Sequence, residues 1–497
     1  MHHDPERLKT AAAELLKGLE GRALTPKERM AIPAQEMPAQ DPAVRRGNMH
    51  EVALGYTAAQ ARVEALRCLQ CKNAPCVDGC PVRIRIPDFV RAIAENRMPD
   101  AIRIIRENSL LPAVCGRVCP QESQCQAPCT LGKALKDTDK AVAIGRLERY
   151  VADLDRETAA PALPTLPAPT GCRVAVVGSG PASITVAADV RRAGHEVTLF
   201  EAFHKPGGVL VYGIPEFRLP KAIVQTEIDA LAAMGVRIET NFVIGRTRRL
   251  QDLLEKDGFD AVFVGTGAGL PKFMEIEGEN LVGVFSANEY LTRANLMRAY
   301  DTAQAHTPMF VSSRVAVLGG GNVAMDAARM ALRLGAGSVR LIYRRTAAEM
   351  PARAEEVAHA REEGVVFEML QNAKRILGDE TGRVRALECL RYELGAPDAS
   401  GRRSPVEIKG SEFTLEVDTV IVAIGNESNP LIRQTTPGLA TDRRGHLVVD
   451  EHGRTSLDRV FAGGDIVLGA ATVILAMGEG RRAAAAINAL LAERGRR

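Results

Sequence analysis

Eight of the ten cysteines in this chain fall between Cys68 and Cys129, a stretch of 62 residues. They form two runs. The first is Cys68-x2-Cys71-x4-Cys76-x3-Cys80-Pro81, and the second is Cys115-x3-Cys119-Pro120-x4-Cys125-x3-Cys129. Thiolates are soft ligands, suited to iron–sulfur clusters or zinc. Short spacings closed by Cys-Pro fit [4Fe–4S] ligation, in which the last cysteine of a run can serve the other cluster. Zinc suits the C-x2-C pair, but zinc sites usually join two C-x2–4-C knuckles without Cys-Pro. Disulfides are rare in a cytoplasmic chain, and cysteines scattered for packing alone would not gather so densely. Iron–sulfur ligation is therefore the expectation.

A second chemistry is written in glycines. Gly178-Ser179-Gly180-Pro181-Ala182-Ser183 follows the apolar run Arg173–Val177 and opens a helical pattern, and Glu201 ends the next apolar run. Strand, G-x-G-x-x-small turn, helix and a carboxylate some 20 residues on form a dinucleotide site. The first Gly makes the turn, the second admits a pyrophosphate to the helix N-terminus, and the carboxylate accepts from a ribose. Ser183 stands where a third Gly or Ala is usual. Gly319-Gly320-Gly321-Asn322-Val323-Ala324 repeats the pattern, but Tyr343, Arg344 and Arg345 occupy the corner corresponding to Glu201. Two guanidiniums there suit a 2′-phosphate, so NADP(H) is expected at this turn. Near the C-terminus Val460-Phe461-Ala462-Gly463-Gly464-Asp465 runs into an Ala-rich helix. By analogy, two-dinucleotide flavoproteins close over the flavin this way, with the Asp at the ribityl chain and the helix N-terminus at the ring.

These parts explain each other. NADPH delivers a hydride, which carries two electrons. Cys172 and Cys389 each stand alone in sequence, so no local dithiol motif offers a two-electron acceptor. The clusters, which take electrons singly, are the remaining acceptors, and the chain reads as a two-electron to one-electron converter.

The elements that position these groups follow from length and texture. At roughly 150 residues per domain, 497 residues make about three domains. Residues 1–55 read as an N-terminal arm, with a helix near Glu6–Glu20 and an extended stretch through Ile32–Pro42 that is either disordered or docked on a partner. Residues 56–158 read as a helical domain holding the clusters, with helices at Asp88–Asn96, Asp100–Asn108 and Ala143–Leu154. Residues 159–170 are a proline-rich spacer. Alternating strands and helices then predict parallel sheets. The fold class is α/β: a helical iron–sulfur domain followed by two Rossmann-like dinucleotide-binding domains. An NADP(H) domain at 296–417 is inserted in a discontinuous FAD domain at 171–295 and 418–497. The net charge of +3 points to neither nucleic acid nor an acidic membrane. No stretch reaches the roughly 20 apolar residues of a membrane helix. The start lacks a secretory pattern, so a cytoplasmic protein is expected.

The cysteine runs, Gly178–Ser183, Gly213-Ile214-Pro215-Glu216-Phe217-Arg218-Leu219-Pro220-Lys221, Gly319–Ala324 and Ala462–Asp465 together resemble the glutamate synthase small-chain family, over about residues 35–490. Met37–Pro42 and Glu51–Thr57 are most similar to the large subunit of the electron-bifurcating NADH-dependent ferredoxin:NADP oxidoreductase. The resemblance implies that Cys68, Cys71, Cys76 and Cys129 hold one cluster. It implies that Cys80, Cys119 and Cys125 hold a second, completed by Glu148 with Cys115 spare; the rival assignment uses all eight cysteines. It implies FAD contacts at Gly178, Gly180, Pro181, Ala182, Glu201, Gly208, Leu210, Arg218, Val243, Thr266, Gly464, Asp465, Thr472 and Val473. For NADP(H) it implies Gly319, Gly321, Asn322, Val323, Asp326, Arg344 and Arg345. No side chain acts as general acid, base or nucleophile in this reading. His195, His204, His306, His359, His446 and His452 read as solvent-facing or loop residues, and Arg402-Arg403, Arg443-Arg444 and Arg496-Arg497 as solvated corners. The implied partner is a ferredoxin-reductase-like flavoprotein or iron–sulfur subunit, or else a glutamate synthase large chain; a non-catalytic electron conduit is the reading of another class.

Overall fold

The computed structural model describes residues 4–158, 164–303, 305, 307, 309, 311–398 and 401–494. His306, Arg496, Arg497 and the first half of the spacer lie outside the described residues.

Caps and amphipathic spacing build the N-terminal third. The helix Pro5–Leu19 starts at Asp4, whose carboxylate accepts from the Glu6 and Arg7 amides. Pro26–Ala31 and Ala58–Leu66 each open on a capping box, Thr25 with Glu28 and Thr57 with Gln60. Ile86–Ala94 and Met98–Arg106 begin two residues earlier than their acidic first turns suggest, because Pro87 and Pro99 fit the first helical turn. They bury Phe89, Val90, Ile93, Ile102 and Ile105. The helix Ile144–Thr158 closes this layer against Pro112–Val118.

The extended arm is docked on its own chain. Ala39 bridges Ala53, the Tyr56 hydroxyl donates to Gln35 O at 2.6 Å, and Arg67 Nε donates to Ile32 O at 3.2 Å. Farther on, Arg45 is fully buried between Glu362 (2.6 Å) and Glu363 (2.9 Å). Polar composition hid this, because the burial comes from Met37, Ala39 and one charged side chain rather than from an apolar run.

Two five-stranded parallel sheets follow. In the first, Val460–Ala462, Ala261–Val264, Arg173–Val177, Glu196–Phe200 and Arg237–Glu239 lie side by side in that order. In the second the order is Val284–Ser286, Thr419–Val422, Arg314–Leu318, Ser338–Tyr343 and Val366–Met369. Pairing of Val420 with Val284 corrects the expected boundaries: 284–295 and 419–422 belong with the second sheet rather than the first. The chain crosses between the two bodies at the antiparallel pair Leu270–Pro271 and Asn426–Glu427.

An antiparallel sheet that periodicity did not signal packs on the second body. Gln371–Gly378, Val384–Pro397 and Arg403–Glu407 form it, with Phe413–Glu416 pairing the central strand. Its inward residues Ile376, Leu387 and Cys389 share a core with Ala316, Leu318 and Val420. Cys389 is thus a packing residue.

Candidate functional site

Cys68, Cys71, Cys76 and Cys129 line one cavity walled by Ile86, Pro87, Val90, Val142 and Ile144. Burial pushes the Cys68 thiol up to about 11 and the Cys76 thiol up to about 12. Cys71 Sγ lies 3.3 Å from Thr130 Oγ1. The second group assembles from two helices and two loops. Cys125 is held well above the thiol range by burial and then by its neighbours Cys80, Cys119, Glu148 and Cys76. Cys119 is raised by its hydrogen bond with Cys115 and by burial. Glu148, projecting from the helix Ile144–Thr158, is only 6% exposed, and burial lifts its carboxyl to about 8. Its Oε1 is buried without a hydrogen-bond partner. Cys115 stands in the same group, and its Sγ meets Met477 Sδ at 3.6 Å.

This donor set fits the implied clusters. Thiolates so desolvated require a bound cationic group to stay ionised, and an orphaned carboxylate oxygen is a ready hard ligand beside three soft ones. Among the described residues, no three His, Cys, Asp or Glu side chains stand close enough to share a single ion.

The two groups are neighbours, and the second abuts the C-terminal helix. Gln124 Nε2 donates to Thr472 Oγ1, and the helix Val473–Arg494 begins at once. Nothing local signals this bond, since 348 residues separate its ends.

Around the first glycine turn, Gly178 has φ +93°, and a Cβ there would lie 2.5 Å from Gly265 O. The turn delivers Gly180 as the N-cap of Pro181–Arg192 with no side-chain cap, and a Cβ on Gly180 would meet nothing within 4 Å. Glu201 ends the neighbouring strand as expected. Its Oε1 accepts from the Phe203 amide at 2.8 Å, its Oε2 takes the Ser179 hydroxyl, and that hydroxyl accepts from the Gly207 amide at 2.8 Å. Gly464 and Asp465 enter from the last strand, and burial lifts the Asp465 carboxyl to about 6. Tyr212, which the sequence did not single out, sits by both carboxylates and is pushed to about 12 by burial. Thr266 Oγ1 is buried without a partner as well. Leu210 is fully buried, Gly208 caps the short helix before Gly213, and Val243 lies in the loop after Arg237–Glu239. Thr472 and Val473 start the closing helix.

The second turn repeats the geometry with different charges. Gly319 has φ +145° and packs under Ala423 O, and Gly321 caps Asn322–Arg333 without a side-chain bond. Val323 is exposed. Arg344 is exposed, whereas Arg345 is buried, with Nη2 2.8 Å from Asp398 Oδ2 and Nε donating to Arg403 O at 2.7 Å. Only one of the two expected guanidiniums is therefore open to a phosphate.

Arg218 and Asp326 depart further from expectation. Assigned to different cofactors, they pair with each other, Arg218 Nη1 lying 2.7 Å from both carboxylate oxygens. Glu356, Arg329, Glu363, Arg333 and Arg45 extend this buried network. Two histidines also depart: His195 is buried with Nδ1 2.6 Å from Thr170 Oγ1, and His359 is buried and held down to about 4 by desolvation.

Residues 45–160 match the family described as dihydropyrimidine dehydrogenase domain II, 4Fe-4S cluster, and residues 172–487 match pyridine nucleotide-disulphide oxidoreductase. The fold of the latter part is similar to that of Mycobacterium tuberculosis FprA in complex with NADPH, with a TM-score of 0.55 and 20% identity over 65% of this chain and 85% of that one. The NADPH-Fe(3+) oxidoreductase subunit beta of Geobacter sulfurreducens is 38% identical over 85% of this chain and 64% of its own length. The glutamate synthase [NADPH] small chain of Azospirillum brasilense is 38% identical over 464 residues, 92% of this chain and 94% of that one. Among the described residues, no helix is long and apolar enough to cross a membrane. Likeness over so much of both chains places the protein in the glutamate synthase small-chain family of NADP(H)-dependent iron–sulfur flavoprotein oxidoreductases.

Proposed function

We propose that the chain passes electrons between NADP(H), FAD and two [4Fe–4S] clusters, as one subunit of an assembly of the NADH-dependent ferredoxin:NADP oxidoreductase type. The observation that carries this reading is the contact of the second cysteine group with the start of the flavin-side helix, through Gln124 with Thr472 and Cys115 with Met477. When bound, the cofactors supply the redox chemistry, taking two electrons together at the organic ring and releasing them one at a time through iron and sulfide.

The protein's part is binding and placement. The uncapped start of Pro181–Arg192 receives a pyrophosphate. Glu201 and Asp465 accept from hydroxyls, the first oriented by Ser179 and the Phe203 amide. Exposed Arg344 selects a 2′-phosphate, and Asp398 orients the loop by holding Arg345. Cys68, Cys71, Cys76 and Cys129 hold the outer cluster; Cys80, Cys119, Cys125 and Glu148 hold the inner one.

One relative supports a second destination for the electrons. The long overlap with the Azospirillum brasilense small chain favours delivery to a glutamate synthase large chain. The arm residues Met37 and Ala39, buried in this fold, favour the bifurcating type whose segment they resemble.

Anaerobic purification followed by iron, sulfide and flavin analysis tests the core reading. About eight irons and eight sulfides per FAD are expected from two cubanes; zinc without sulfide overturns it. Native co-purification then distinguishes the partners, a flavoprotein of ferredoxin-reductase type against a large amidotransferase.

A further inference from the structure

Arg353 belongs to none of the sites above, yet it joins two of them. It precedes the helix Ala354–Glu362 of the nucleotide-binding body. Its backbone amide donates to Asn322 Oδ1 at 2.9 Å, and Asn322 is the first helical residue after the second glycine turn. Its guanidinium points the other way, into the iron–sulfur domain. Nη1 donates to Arg117 O at 2.7 Å and Nη2 to Gln121 Oε1 at 3.1 Å, while Glu122 Oε2 stands 3.7 Å from Nε. Gln121 in turn donates from Nε2 to Cys115 O at 3.3 Å. Arg117, Gln121 and Glu122 all lie within the second cysteine run.

The side chain is 7% exposed. A buried guanidinium is costly unless its donors are used, and both Arg353 Nη atoms donate to residues more than 230 positions away. Glu355, at 3.0 Å, balances part of its charge. Packing alone needs no fork aimed at one carbonyl and one amide beside Cys115 and Cys119. A nucleotide phosphate arriving at the amides of Gly321 and Asn322 bears on the Asn322 side chain, and thus on the segment that carries Arg353. A shift of that cation, in a site of low dielectric, changes the stability of negative charge on the neighbouring cluster.

We infer that Arg353 is a positioning residue through which NADP(H) occupancy at the second glycine turn tunes the reduction potential of the cluster held by the second cysteine group. This inference rests on the cluster assignment proposed above.

The test compares the purified full-length protein with Arg353→Met and Arg353→Lys, each loaded with FAD and clusters. EPR-monitored redox titration with and without NADP+ reads the two clusters separately. In the parent, NADP+ should shift one cluster's midpoint and leave the other unmoved. Hydrogen exchange across residues 115–124 should slow on NADP+ addition by about tenfold, the size of one charge-assisted hydrogen bond. In Arg353→Met both effects should vanish while NADP+ still binds. Arg353→Lys, which keeps the charge without the fork, should hold the resting potential near the parent's yet lose the nucleotide-dependent shift. If Arg353→Met fails to assemble, the lysine variant decides alone. A variant that keeps the full shift, or an iron-replete parent with no shift, overturns the coupling. A parent without iron sinks the cluster assignment itself.

Discussion

Gln124 and Thr472 are joined by a single 3.2 Å hydrogen bond from Nε2 to Oγ1, the direct side-chain tie between the second cysteine run and the residue preceding the C-terminal helix. Its donor neighbours Cys125, and its acceptor is a residue assigned to the flavin. Replacing Gln124 by Leu should leave flavin and iron contents unchanged and lower stability by about 1 kcal/mol, the net value of a neutral hydrogen bond. In stopped-flow experiments NADPH should bleach the flavin at the parent's rate, with the subsequent cluster reduction slowed. Equal slowing of both phases would mean that the bond shapes the flavin pocket instead.

The assignment of Glu148 is open to a paired substitution. Glu148→Ala should alter or remove one cluster, with loss of up to roughly half the iron, and spare the other. Cys115→Ser should leave both spectra intact. The reverse pattern would make Cys115 the ligand and Glu148 a buried bystander with an unsatisfied oxygen.

Coenzyme selection should depend on Arg344 more than on Arg345. Arg344→Ala removes a guanidinium exposed at the nucleotide corner and should raise the KM for NADPH about tenfold or more, with little effect on NADH. Arg345→Ala breaks the contacts with Asp398 and the Arg403 carbonyl, and should weaken both coenzymes alike. Steady-state kinetics with the two coenzymes separate these outcomes.

Half-buried Glu227 gives stability a definite pH dependence. Burial raises its carboxyl to about 7 despite Arg106 and Arg156, against 4.5 ordinarily. The fold therefore holds this proton more tightly than the unfolded chain does. Its contribution to stability is fully present below pH 4.5, is lost progressively as pH rises to about 7, and is level above that. Glu227→Gln should gain about 1–2 kcal/mol on the parent at pH 8 relative to the difference at pH 4. Urea unfolding at the two values measures it, and a pH-independent difference would contradict the assignment.

Arg329 lies at the centre of the buried charge network. It is fully buried, pairs with Glu356 and with Glu363, and stacks 4.7 Å from the Phe217 ring centroid. Arg329→Met leaves carboxylates short of their counter-ion, at a cost of about 3–5 kcal/mol. Thermal unfolding of the flavin-loaded protein should fall markedly. An unchanged midpoint would mean that the remaining arginines compensate.

Much of this arrangement was legible in the residues. Both glycine turns are local grammar, so the strands Arg173–Val177 and Arg314–Leu318 fall where their apolar runs stand. The cysteine groups followed from spacing and resemblance. Contacts between distant segments were not legible. Arg218 and Asp326 each look like cofactor residues alone, and only the packing of two bodies reveals that they neutralise each other. Likewise Arg345 reads as a phosphate ligand until the hairpin bearing Asp398 folds over it. The antiparallel sheet escaped because its strands are half exposed and carry charges between their inward residues.

The two-stranded crossing at Leu270–Pro271 and Asn426–Glu427 is a slender tether for a body of well over a hundred residues. On its own it would let the nucleotide-binding body swivel. Arg45, clamped between Glu362 and Glu363, and Arg333, donating to Asn48 O at 2.9 Å, nail that body to the N-terminal arm. Shortening the arm past these two positions would therefore leave the hold on that body to Arg218 with Asp326 and to the Arg353 fork, a looser frame than the intact one.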